Sequence, residues 1–405
     1  MKISNFFNKI KFYNYYYFIV VFVYFSAIFF DFIRVGVTMS LVMILFLLLL
    51  FKAKKVKIHN YIDWLMLIYI LYNSFSFVTF FFSDLPVDVF IMEYSNSILP
   101  MICFYFIGKI NIRHLKFYDA TLYSIFLCFI IGFYFQFNLP ENYREFMAKL
   151  DNTEGTGPEF FILYFRSLLG ITATGSLSAI CVLLSINKIY LSKGKRGKLI
   201  FLISFIVLLL TFRRSALYVT VFAIFWVNFI AIFLFKFSTR RLIIFELASV
   251  FFFIIFLNYL DPEFINSVIE RFGTFTDAID ERNQSWYAGL ANTKNMIFGD
   301  GLGRYGHKAA LYSNNIIPDG NYFRMFSELG FIGLFVFFGI ILSALYETYK
   351  KIDFLYIETA IIIMICLQAI GSDVFSFQLI APIFWFAIGR CSGSTILNYK
   401  REIIY

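Results

Sequence analysis

Charge is what this sequence has least of for its length. Only 15% of its 405 residues are Asp, Glu, Lys or Arg, against roughly 25% in soluble domains. With 60% of the residues hydrophobic, no water-soluble fold has enough interior to hide the apolar surface. Cysteine is sparse too. Cys103, Cys128, Cys181 and Cys366 lie in apolar runs and Cys391 at a helix end, without pairing or metal-ligand spacing, which argues against a disulfide framework and a zinc site. There is no repeat of 20–50 residues and no soluble domain at either end. The first apolar run lacks a small-residue cleavage site and is followed at once by another, so it reads as a span and not a cleaved signal. The 58 Phe and 27 Tyr fill the helices instead of forming interface belts, and so read as compositional bias.

What is present is a series of long apolar runs. Crossing about 30 Å of hydrocarbon takes about 20 helical residues. Twelve runs approach that length, near 15–33, 35–51, 61–82, 90–108, 117–137, 163–187, 199–212, 215–235, 242–260, 329–348, 355–371 and 376–390. The expected fold is therefore all-α and polytopic: one membrane domain over 1–405, with a medium loop at 138–162 and a large one at 261–328. The net charge of +9 is read as topology and not as affinity for nucleic acid. One set of alternate loops, with both termini, holds 23 basic residues and the other set 12. The positive-inside rule then places both termini in the cytoplasm and the two longer loops outside.

The kind of basic residue also differs by side. The cytoplasmic set has 17 Lys and 6 Arg, and the other 3 Lys and 9 Arg. Lys suffices to hold topology, whereas Arg presents a planar fork that grips phosphate or carboxylate in a bidentate way. The nine are Arg34, Arg144, Arg166, Arg213, Arg214, Arg271, Arg282, Arg304 and Arg324. Several would be ordinary salt bridges to the many outer acids, but as a set they point to a phosphate or acidic-sugar site. Arg213 and Arg214 stand out because almost no loop separates the apolar segments around them, in IVLLLTFRRSALYVTVFAIF. Either they snorkel from a tight hairpin or they form an anion-binding point at the membrane surface. Arg166, at the start of the sixth run, has the same character.

The large loop carries ERNQSWYAGLANTKNMIFGDGLGRYGH, with an amphipathic helix expected over 284–297. Gly299, Gly301 and Gly303 follow, and their backbone N–H groups either present themselves to an anion or simply form a turn. His307, Asp319 and Glu328 are candidate general bases. Each also has a plain reading, as an incidental loop histidine, a helix cap or an arginine partner. Asp63, Asp119, Glu246 and Glu358 fall in the first turns of their runs, and Asp31 and Asp373 near outer edges. No carboxylate is expected at a helix centre, where proton-coupled carriers place one.

Three stretches, LLLTFRRSALYV (208–219), ERNQSWYAGLANTKNMIFGDGLG (281–303) and PDGNYFRMFSELGFIGLFVF (318–337), resemble the bacterial O-antigen and capsule polymerases of the Wzy type, grouped with the O-antigen ligases. The likeness covers roughly 160–340. It rests on an Arg-containing hairpin, an Arg–Trp–GxGxG pattern and an Ile-Gly helix returning into the membrane. The ligases carry a His-Asn pair at that return, where this chain reads Asp319-Gly320, which favours polymerase over ligase.

The resemblance implies a metal-independent glycosyltransferase without cofactor, in the bacterial cytoplasmic membrane. It would join undecaprenyl-diphosphate-linked repeat units at the outer face. Its partners would be lipid-linked donor and acceptor glycans, membrane lipid and a chain-length regulator, and not nucleic acid. Arg213, Arg214 and Arg282 would grip the diphosphate, with Arg166 and Arg324 behind them. An O-antigen ligase and a flippase or exporter of lipid-linked oligosaccharide are the alternatives.

Overall fold

In a computed structural model of the chain, the described residues are 58–110, 114–138, 165–192, 195–211, 213–234, 275–377 and 379–393, with scattered positions in 139–164 and 235–251. Among them the secondary structure is helical, without strands. The principal helices are α1 (Tyr61–Phe81), α2 (Val87–Glu93), α3 (Leu99–Ile110), α4 (His114–Asn138), α5 (Ile171–Ser192), α6 (Lys195–Leu210), α7 (Arg214–Phe233), α8 (Phe275–Ala291), α9 (Asn321–Lys350), α10 (Ile352–Gln368) and α11 (Ala381–Gly393). A π-helical turn, Tyr94–Ile98, joins α2 to α3.

Among the described residues, six stretches are long and apolar enough to cross a membrane: Tyr61–Phe81, Val87–Lys109, Phe117–Gln136, Ile171–Tyr190, Arg214–Phe233 and Asn321–Lys350. They answer to six of the twelve expected runs. Three more runs correspond to α6, α10 and α11, of 16, 17 and 13 residues, shorter than a full crossing. The runs at 15–33 and 35–51 and most of 242–260 lie outside the described residues, as do Arg34, Arg144, Arg271 and nearly all of the 138–162 loop. Several boundaries differ from expectation: the helix expected over 284–297 is α8, Phe275–Ala291, and the run expected from 376 is α11, helical from Ala381. α5 begins at Ile171 because Ser167 and Gly170 take left-handed backbone just before it. α9 begins at Asn321, inside the stretch expected to be loop.

The chain divides into two compact units, one holding α4–α7 and the other α1–α3 and α8–α11. In the first, α5 packs against α4, α6 and α7. Its small residues Ala173, Gly175 and Ala179 permit close approach. The buried hydroxyls of Ser178 and Ser185 return to their own helix, on the carbonyls of Gly175 (2.8 Å) and Val182 (2.9 Å), because a hydroxyl without a partner is costly among helices. On α7 the side chains of Tyr218, Val221, Phe225 and Ile232 are exposed while Ala216, Ala223, Val227 and Ile230 are buried. An exposed apolar stripe of this kind suits contact with lipid.

In the second unit α3 and α11 pack backbone to backbone. A Cβ on Gly389 would lie 2.0 Å from the Tyr105 carbonyl oxygen, and one on Gly108 2.2 Å from that of Phe386. Only glycine admits this contact, the small-residue packing that joins helices where no hydrophobic effect drives them together. At one end of this pair Asp63 accepts bonds from Tyr105 Oη (2.5 Å) and Ser392 Oγ (2.7 Å) and pairs with Lys109 Nζ (2.6 Å), fastening α1 to both helices.

Candidate functional site

α9 carries most of the chemistry in this unit, and it is broken. Gly330 has φ 66° and ψ −172° inside the helix, a conformation open to glycine. The break releases backbone groups, and the loop before α9 satisfies them. Phe331 N donates to Met296 O (2.9 Å), Asp300 N to Ser327 O (3.0 Å) and Gly301 N to Glu328 O (2.9 Å). The GxGxG stretch is this docking loop. Gly299, Gly301 and Gly303 all have positive φ, and Cβ atoms on them would collide with Glu328, Phe80 and Glu93 respectively. The Gly299 and Gly301 N–H groups are directed at protein carbonyls, those of Asn295 and Glu328.

Asp300 shapes the loop from within. Its carboxylate accepts the N–H groups of Lys294 and Asn295, both at 2.9 Å, and the phenol of Tyr305 at 2.7 Å. Burial, followed by the bond to Asp300, pushes the Tyr305 phenol above its usual value, so it stays a neutral donor.

The loop closes over Arg324, which is 3% exposed. Its Nε meets Glu328 Oε1 at 2.9 Å, Nη1 meets Asp373 Oδ2 at 2.6 Å, and Nη2 meets Glu93 Oε1 at 2.6 Å. Three carboxylates from three segments thus surround one guanidinium. Asp373 is further held by Asn321 Nδ2 and by Ser376 Oγ at 2.9 Å, and Asn321 Oδ1 accepts the N–H groups of Val374 and Phe375. His307, more than half exposed, places Nε2 3.8 Å from Asp373 Oδ2.

Beside this sealed cluster is an accessible one. Arg282 Nε lies 3.3 Å from Asp319 Oδ2, with a third or more of each side chain exposed. Trp286, one turn further along α8, donates Nε1–H to the Asp319 carbonyl (2.6 Å) and stacks on Phe323 with ring centroids 4.4 Å apart. Gly320, at φ 91°, lets the chain turn beneath that indole. Two of the three stretches noted in the sequence, 281–303 and 318–337, are therefore packed on one another. Arg282 with Asp319, and Arg324 with Glu328 and His307, come together as two neighbouring groups. Arg304 lies on the same loop, half-buried.

In the other unit Arg166, Arg213 and Arg214 gather at one end of α5–α7. Arg166 is 1% exposed, and its carbonyl accepts the Thr174 hydroxyl at 2.5 Å. Arg213 precedes α7, donates Nη2–H to Thr172 Oγ1 at 2.5 Å and lays its stem against Gly175. Arg213 and Arg214 are both partly exposed.

Sequence reasoning missed Glu93. It is 5% exposed and lies six residues inside the Val87–Lys109 span, away from its centre. The signal was present as a lone acid in VFIMEYSNSILPMICFYFIG, since an ionisable group in such a run implies a partner. Among the described residues no group of three or more His, Cys, Asp or Glu is arranged to hold a metal ion. Comparison with protein-family models and with curated proteins returns no match.

Proposed function

We propose that the protein is a polysaccharide polymerase. It would be a glycosyltransferase of the cytoplasmic membrane that joins undecaprenyl-diphosphate-linked repeat units at the outer face. The observation that supports this reading best is the packing of 281–303 on 318–337. It sets a partly exposed arginine–carboxylate pair, Arg282 and Asp319, at the head of a membrane-spanning helix. A guanidinium in that setting suits a diphosphate headgroup arriving in the plane of the lipid.

In this mechanism the terminal hydroxyl of one lipid-linked repeat attacks the anomeric carbon of the glycan on the other. The bond to the diphosphate breaks, and the diphosphate leaves with the electron pair. A diphosphate is already a good leaving group, so charge stabilisation matters more than a strong acid. Arg282 is the proposed diphosphate ligand of its unit, with Arg324 buried in that same unit; Arg213 and Arg214 are the proposed anion ligands of the other unit, with Arg166 buried there. The attacking hydroxyl loses its proton to a base among His307, Asp319 and Glu328. The exposure of His307 and Asp319 favours these two, while Glu328 is enclosed with Arg324. The Asp319-Gly320 pair, in place of the ligases' His-Asn, supports polymerase over ligase.

The test is the lipid-linked glycan profile of cells carrying Arg282→Ala or Arg213→Ala. Stalling at single repeat units supports the proposal, and normal polymer from both variants removes it. Long chains retained on the carrier lipid would instead indicate the ligase.

A further inference from the structure

A cavity of about 50 Å³ lies within the unit of α1–α3 and α8–α11, with Tyr69, Asn73, Glu93, Ser97, Arg324 and Glu328 in its wall. Glu93, Glu328 and Asp373 set three carboxylates around the single guanidinium of Arg324. All four residues are less than a tenth exposed. Uncompensated charge in such a place costs several kcal/mol. Glu93 and Glu328 both use Oε1 toward Arg324, where Glu93 also accepts the Ser97 hydroxyl and Glu328 the Tyr305 N–H.

Asn73 is an independent sign of a missing ligand. It is fully buried, and its Nδ2 donates to the Tyr69 carbonyl at 2.8 Å, but its Oδ1 has no donor. A water would satisfy Asn73 and leave the charge unchanged. A cation satisfies both. The π turn begins directly after Glu93 and the Gly330 break follows two residues after Glu328.

We propose that this cavity binds a small alkali cation of the size of Na⁺, on oxygens of Asn73, Glu93 and Glu328, beside the Arg324 guanidinium. The space admits a partly dehydrated ion and not a sugar. Its role is structural, tying α1 and α2 to α9, and it stands whether or not the protein polymerises glycans.

The experiment is thermal unfolding of the full chain in nanodiscs, followed by tryptophan fluorescence, in NaCl against choline chloride at equal concentration. A saturable rise in Tm with Na⁺ is expected, because a ligand of the native state alone stabilises it. Asn73→Leu keeps every charge and should weaken half-saturation by about tenfold. Glu93→Gln should abolish the response. If Glu93→Gln does not fold, the wild-type titration and Asn73→Leu decide. Identical unfolding in Na⁺ and choline, or an unchanged half-saturation in Asn73→Leu, overturns the site.

Discussion

Arg324 Nη2 lies 2.6 Å from Glu93 Oε1, and through this contact the head of α9 is tied to the π-helical turn between α2 and α3. The two residues are far apart in sequence, and each would be costly alone in an apolar setting. Together with Glu328 and Asp373 they form a buried polar cluster of the unit, separate from the one that Asp63 makes with Lys109, Tyr105 and Ser392. Such a cluster holds its helices strongly when complete and weakens them when any member is lost.

Arg324→Leu should therefore be among the most damaging substitutions in the chain. It leaves three carboxylates enclosed without their cation, and breaking a buried pair costs about 3–5 kcal/mol. Arg324→Lys should recover only part of this, because an ammonium cannot reach the three carboxylates that the guanidinium fork meets at separate nitrogens. Thermal unfolding of the purified variants measures both.

Gly306→Ala should strike the same cluster from the loop side. A Cβ there would lie 2.3 Å from Arg324 Nη2, and Gly306 has an ordinary φ of −84°, so the penalty is steric alone. A loss of about 1–3 kcal/mol is expected. In an Arg324→Ala background the same change should cost little, and the double-mutant cycle reads that coupling directly.

The α3–α11 contact gives a sharp contrast between two glycines. Gly389→Ala would place a Cβ 2.0 Å from the Tyr105 carbonyl and should separate the helices, whereas at Gly339 the nearest atoms, of Leu65, are 3.5 Å away. Gly339→Ala should instead stabilise α9 by about 0.5–1 kcal/mol, through the lower entropy of the unfolded chain. Unfolding midpoints in detergent separate the two.

Much of the helical layout is legible in the sequence, because apolar runs such as 61–82 and 215–235 leave few alternatives to a crossing helix. The head of α9 is not. Asn321, Arg324 and Glu328 make 318–328 look like loop, and only their mutual pairing with Asp373 and Glu93 makes helix there tolerable. Hydropathy registers the charge and not its distant partner. The same limit applies to the GxGxG stretch. Its glycines announce positive φ, but the sequence does not say whether the N–H groups face an anion or, as with Gly299 and Gly301, protein carbonyls. Arg324 reads as one of a set of outer arginines, and only the fold shows it enclosed by acids.

The clearest separation of architecture from activity should come from Arg282. Its pair with Asp319 is a third or more exposed on both sides, and exposed ion pairs contribute about 0–1 kcal/mol. Arg282→Ala and Asp319→Asn should thus unfold within a few degrees of the wild type. Trp286 and Phe323 remain stacked in both variants, so the head of α9 keeps its place. Chain extension should nevertheless fall by a hundredfold or more in Arg282→Ala, since removing one donor from a developing oxyanion costs about 10²–10³ in rate. Arg282→Lys restores the charge without the fork and should recover little of that loss. Arg324→Ala, by contrast, should lose fold and polymer together. If Arg282→Ala extended glycans normally at wild-type stability, the accessible pair would be a surface salt bridge and nothing more.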